Sequence, residues 1–124
     1  MRGAVAAGHP LTAEAGARVL ESGGNAVDAC VAAACVSWVC ESPLTGPGGG
    51  GFMLVHQGSD GKSRLFDFFV TVPRAPAEAG RLLQLEIDFD GDTQQTFHTG
   101  AAAVGVPGTA LGLETAHRRF GTVP

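Results

Sequence analysis

From Ala26 to Cys40 the chain carries only two polar side chains, Asp28 and Ser37. A helix that is apolar on every side has to be covered on every side. Asn25 is a good N-cap for it, and Asp28, three residues on, is a weak relative of the capping-box acid. Glu41-Ser42-Pro43 ends the run. Few other elements are available to cover such a helix. Charged residues make up 16% of the 124, below the ~25% of ordinary domains. Together these features predict part of a larger packed body. The plainer alternative is an independent small α+β domain, which would melt cooperatively as a monomer.

The other elements follow from local pattern. Ala4–Ala7 reads as a short strand. Pro10 suits a first helical turn, and Leu11, Ala15 and Val19 fall on one helix face before Gly23-Gly24. Phe52–His56 reads as a buried central strand, Gly58–Gly61 as a turn and Leu65–Val70 as the returning strand. Pro73 to Pro76 breaks the chain. Glu86–Phe89 and Gln95–His98 suggest an acidic hairpin around Asp90-Gly91, and Val104–Val106 another short strand. Pro107-Gly108-Thr109 opens a last helix, with Leu113, Ala116, His117 and Phe120 on one face and Gly121 as its cap. One segment over 1–124 is expected, with no internal boundary and no repeat.

Several functions are excluded early. The net charge is −4 and the only adjacent basic pair is Arg118-Arg119, so no nucleic-acid partner is expected. The longest apolar stretch, Ala29–Val36, falls short of the ~18 residues of a membrane span, so no membrane partner is expected either. Met1 to Gly8 is too short an apolar region for a signal peptide, which predicts a cytoplasmic location. Three cysteines in one segment argue for a reducing compartment. Cys30, Cys35 and Cys40 point about 140° apart around a helix. They cannot converge on a metal, and buried inert thiols are expected.

Glycine accounts for 19 of the 124 residues, about twice its usual share. Gly46, Gly48 and Gly51 satisfy G-x-G-x-x-G, but a helix precedes them and a strand follows. That order leaves no helix N-terminus for a pyrophosphate, so no dinucleotide cofactor is expected. Gly46, Gly48, Gly49, Gly50 and Gly51 instead predict a close-packed turn, alone or as a loop leading a strand into an active site. Asp88, Asp90 and Asp92 resemble the start of a calcium loop, but Thr93 and Thr99 stand where its Gly and Glu belong. A solvated hairpin tip is expected there. His117 reads as a hydrogen-bonded structural histidine and His9 as a site candidate. No metal site is expected. No nucleophile is legible, so no catalytic residue is assigned in this chain.

Four segments, in order, resemble the γ-glutamyltranspeptidase family. They are His9-Pro10-Leu11 with Glu21 to Ala29, Gly46 to Val55, Phe66-Asp67-Phe68 with Thr71 and Pro73, and Val106 to Thr109 with Gly112-Leu113, Ala116-His117 and Gly121. The resemblance implies an N-terminal nucleophile hydrolase, a four-layer αββα sandwich of which this chain holds the N-terminal part of the large subunit. It implies a self-cleaving precursor, with the remainder of that precursor as partner. The nucleophile would be a threonine beyond Pro124, its own α-amino group serving as base. The acyl-enzyme would pass a γ-glutamyl group, as in glutathione, to an amine or to water. The segment alone is expected to be inactive.

One departure concerns specificity. The family's Asp-Phe is followed by an arginine that grips the substrate's α-carboxylate and then by a glutamate. By this alignment those positions are Phe69 and Val70. A guanidinium–carboxylate fork is bidentate and charge-assisted, whereas a phenyl ring offers no donor. Losing such a bond costs about 1.5–3 kcal/mol, or about 10–150-fold in affinity. Arg74 is five residues on, and its spacing gives no reason to return to the site. The expected substrate-binding residues are therefore Phe69 and Val70, for a γ-glutamyl or related acyl amide. An acylase for other amides and an inactive scaffold are the alternatives.

Overall fold

In the computed structural model of the chain, residues 3–74 and 80–124 are described. The apolar run forms the helix α2, Ala26–Cys40, within the expected bounds, following α1, Pro10–Glu21. Asn25 Oδ1 accepts from the backbone N–H groups of Val27 (2.8 Å) and Asp28 (3.1 Å). Asp28 Oδ2 accepts from the Asn25 N–H at 2.8 Å, which completes a capping box. Two orphan amides of the helix start and that of the cap itself are thereby satisfied.

The last helix, α3, spans Thr109–Phe120, with Leu113 and Ala116 buried as expected. Its C-terminal end meets the start of α2 through Asp28, whose side chain is 1% exposed. That carboxylate accepts from the Thr122 N–H at 3.0 Å and the Thr122 hydroxyl at 2.7 Å. His117 Nε2 lies 3.2 Å away, so the histidine is structural, as expected. Asn25 Nδ2 donates to the Phe120 carbonyl at 2.5 Å, so the two helix ends satisfy each other.

The strand β1, Phe52–Gln57, pairs antiparallel with β2, Lys62–Asp67, in the register Phe52↔Asp67, Leu54↔Leu65 and His56↔Ser63. Val55 joins Val27 and Ala116 in the core, with Met53 and Phe66 packed against them. The opposite face is open: Phe52 is 59% exposed, Leu54 67% and Leu65 63%. The expected fully buried strand is thus buried on one face only, since alternate side chains leave a two-stranded sheet on opposite sides. The returning strand starts earlier than expected and ends at Asp67, one step before Gly51 and Phe68 exchange a last pair of backbone hydrogen bonds; Asp67 Oδ1 accepts the Phe69 N–H at 3.1 Å.

Three further expectations need correction. The buried face of α1 is Thr12 and Gly16, while Leu11 is exposed. A Cβ on Gly16 would stand 3.1 Å from the Ala29 carbonyl oxygen, so α1 and α2 approach too closely for a leucine ridge. Ala4–Ala7 forms no strand, because no described strand runs beside it to pair its backbone. Cys30 and Cys35 are exposed and Cys40 half-buried. Their five-residue spacing spreads them around a helix whose described neighbours do not cover its whole circumference.

The described residues group into two units, Met1–Val70 with Pro107–Pro124, and Thr71–Val106. The second holds the hairpin of β3, Leu83–Phe89, and β4, Thr93–Thr99. Asp90 (φ 64°) and Gly91 (φ 78°) supply the two left-handed residues that a tight hairpin turn requires. Asp88 Oδ1 accepts from the Gly91 N–H at 2.7 Å, as a hairpin tip and not a calcium loop. Val104–Val106 reduces to a single bridge between Val106 and Thr71, since only that pair closes backbone hydrogen bonds. The break expected at Pro73 to Pro76 lies partly outside the described residues. Among those residues, no helix is long and apolar enough to cross a membrane.

Burial pushes the Asp28 carboxyl up, but donors from Asn25, Thr122 and Val123 together outweigh it and hold the group below the usual aspartate range. A carboxyl depressed in the folded state contributes stability above its unfolded pKa and loses it as pH falls through the folded value. Exchange protection of the Asn25 and Thr122 amides is therefore expected to be flat above about pH 5 and to fall in stronger acid. Asp28→Ala is expected to lower that protection at neutral pH by about 1–3 kcal/mol. Unchanged protection in this variant would contradict the role given to Asp28.

Candidate functional site

The glycine run between α2 and β1 is fixed at its second half. The Gly49 carbonyl accepts from the N–H groups of Gly108 (3.0 Å) and Thr109 (3.2 Å), which ties the loop to the start of α3. Phe68 donates its N–H to the Gly51 carbonyl at 3.0 Å and accepts from the Gly51 N–H at 3.4 Å. A Cβ on Gly50 would come within 2.8 Å of the Phe69 backbone. One on Gly51 would stand 3.3 Å from the Phe68 ring. The close packing is concentrated at Gly50 and Gly51, whereas Gly46 and Gly48 face open space.

Phe68 is the wedge of this arrangement. A Cβ on Gly112 would enter its ring, and one on Gly108 would strike its carbonyl. Only glycine at both places lets α3 sit against the end of β2. Sequence reasoning missed this role, because the partners lie far apart in the chain and no local spacing links them.

Phe69 points away from that wedge and stacks on Phe52, with ring centroids 5.6 Å apart and planes 14° from parallel. Its ring is half exposed, as is Val70, whose backbone nitrogen lies against Gly50. Arg74 is an exposed residue of the second unit. A cleft of about 550 Å³ lies between α2, the glycine loop and β1. Trp38, Phe52, Leu54, Phe68 and Leu113 are among the residues around it, and none of its lining side chains is charged. Phe69 and Val70 do not line it, but Phe52 both lines it and stacks on Phe69. Phe52, read from the sequence only as the start of a strand, is the residue that joins this cleft to Phe69.

The remaining candidates have structural roles. His9 is the N-cap of α1, its Nδ1 accepting from the Leu11 N–H at 3.2 Å. Among the described residues, no group of three His, Cys, Asp or Glu side chains is arranged to hold a metal ion.

Comparison with known proteins places this geometry. The chain superimposes on solved N-terminal nucleophile hydrolases, so its α+β architecture is part of that fold. One is a γ-glutamyltranspeptidase from Pseudomonas nitroreducens, with a TM-score of 0.74 and 37% identity over 98% of this chain and 34% of that one. Another is the transpeptidase CapD of Bacillus anthracis, with a TM-score of 0.72 and 32% identity over 100% of this chain and 34% of that one. Residues 12–124 match the family model for γ-glutamyltranspeptidase, and the chain belongs to that family. It is 43% identical to the glutathione hydrolase proenzyme of Bacillus subtilis (strain 168), over 97% of this chain and 20% of the proenzyme. It is 41% identical to an acylase ACY 1 proenzyme of Pseudomonas sp. (strain SE83), over 99% of this chain and 22% of that proenzyme. The chain thus spans about a fifth of the length of the curated relatives it matches.

The loop geometry separates two kinds of glycine. Gly50→Ala is expected to destabilise the protein by about 1–3 kcal/mol, the range for forcing extra volume into a packed site. Gly46→Ala, in open space and at ordinary φ, is expected to stay within about 0.5 kcal/mol of the parent. Denaturant unfolding of the two variants checks this, and equal effects would contradict the assignment.

Proposed function

We propose that this chain is the early large-subunit part of an enzyme that transfers or hydrolyses an acyl group through an acyl-enzyme on a threonine outside these residues. Family membership and relatives named as a glutathione hydrolase proenzyme and an acylase proenzyme support this reaction class. The threonine oxygen attacks the amide carbonyl, and the leaving amine departs with a proton. Water or a second amine then takes the acyl group and regenerates the threonine. The partner is the remainder of the same precursor, and the segment alone is inactive because it lacks the nucleophile.

The observation that bears on the substrate is Phe69. The family resemblance puts an arginine here for the α-carboxylate of a γ-glutamyl group. In this chain a phenyl ring occupies the position, stacked on another. A site without that fork has little reason to select the charged end of γ-glutamate. The preferred acyl group therefore differs from an ordinary γ-glutamyl group, and likeness to an acylase proenzyme fits this reading.

The test is an assay of the complete protein on γ-glutamyl anilide and on uncharged acyl anilides of similar length. The uncharged substrates are expected to exceed γ-glutamyl anilide in kcat/KM. Phe69→Arg is expected to recover most of the γ-glutamyl activity. Brisk γ-glutamyl turnover by the parent at low substrate concentration would overturn the reading.

A further inference from the structure

We infer that Phe52 is a specificity-determining residue of the acyl site, and that Phe52 and Phe69 together select an acyl chain with an uncharged, apolar far end. This deepens the proposed function and rests on its placement of Phe69 in the acyl site. The two rings lie nearly parallel with centroids 5.6 Å apart, and both remain more than half exposed. Stacked rings make an apolar wall and present no hydrogen-bond donor. Phe52 continues that wall into the cleft of about 550 Å³, where no lining side chain is charged. The hydroxyls of Ser37 and Thr45 at its edge already donate to the backbone carbonyls of Ala34 and Glu41. A carboxylate or ammonium placed here would lose hydration without meeting a charged side chain of opposite sign.

Backbone geometry holds the pair together. Phe52 and Asp67 are cross-strand partners at the end of the β1–β2 ladder. Asp67 Oδ1 accepts the Phe69 N–H at 3.1 Å, and Phe69, two residues beyond Asp67, reaches Phe52 across the ladder as its diagonal neighbour. Gly50 admits the Phe69 backbone beside the loop, immediately before β1 delivers Phe52. Asp67 is thus a positioning residue for the stack, and Phe52 is the group that meets the acyl chain.

The 4-methylpentanoyl group distinguishes these claims. It has the length of γ-glutamyl, with methyl groups in place of the ammonium and the carboxylate. The readout is the ratio of kcat/KM for 4-methylpentanoyl nitroanilide to that for glutaryl nitroanilide, which keeps the carboxylate. A ratio is insensitive to the fraction of enzyme that is folded. The complete parent protein is expected to favour the 4-methylpentanoyl substrate. Phe52→Ala is expected to lower the ratio by roughly tenfold or more, through loss of apolar contact with one substrate only. Phe52→Leu keeps apolar bulk without the ring and is expected to fall between; it serves if the alanine variant does not fold. Parent cleavage of both amides with a ratio unmoved in both variants would overturn the assignment of Phe52. A parent preference for glutaryl nitroanilide would overturn the apolar substrate class. Failure of the parent to cleave any amide would instead overturn the underlying reaction.

Discussion

The carboxylate of Asp28 is nearly sealed from solvent, yet it is the meeting point of two helix ends. It caps the start of α2 through Asn25, receives the backbone and hydroxyl of Thr122, and faces His117 from the last turn of α3. A buried charge persists only where donors replace the water it has lost. Here they do so well enough to keep the group ionised below the usual aspartate range. The consequence is positional, because α3 returns to α2 late in the chain and Asp28 with Asn25 holds its C-terminal end there.

The other end of α3 is held by backbone, not by charge. The Gly49 carbonyl binds the first amides of that helix, and Phe68 fills the space left by Gly108 and Gly112. With α3 anchored at both ends, the segment following β2 has a defined exit. Phe68 turns inward, and Phe69 turns outward onto Phe52. The Phe52–Phe69 stack therefore follows from packing beneath it. The close approach of the loop at Gly50 and Gly51 is what makes the exit and the stack compatible.

The elements most legible in the sequence are those set by neighbours in the chain. The bounds and cap of α2, the Asp90-Gly91 turn and the buried face of α3 follow from local residue chemistry and periodicity. The face of α1 does not, because a close helix–helix approach favours Gly16 over the leucine ridge that periodicity selects. The exposure of Phe52 and Leu54 is equally illegible, since it depends on what lies across the sheet. For the site, resemblance to a family pointed to Phe69, while residue chemistry alone offered no nucleophile and no pocket. The roles of Phe68 and Phe52 emerge only when distant segments are brought together.

The central claim is that the acyl end of the site is an apolar wall built from Phe52 and Phe69. A crystal structure of the complete protein trapped as an acyl-enzyme with a slowly hydrolysed 4-methylpentanoyl ester tests it most directly. The branched end of the acyl chain is expected in van der Waals contact with both rings, with no charged side chain beside it. An acyl chain seated away from Phe52, or one whose far end is met by Arg74 or another cation, would contradict it.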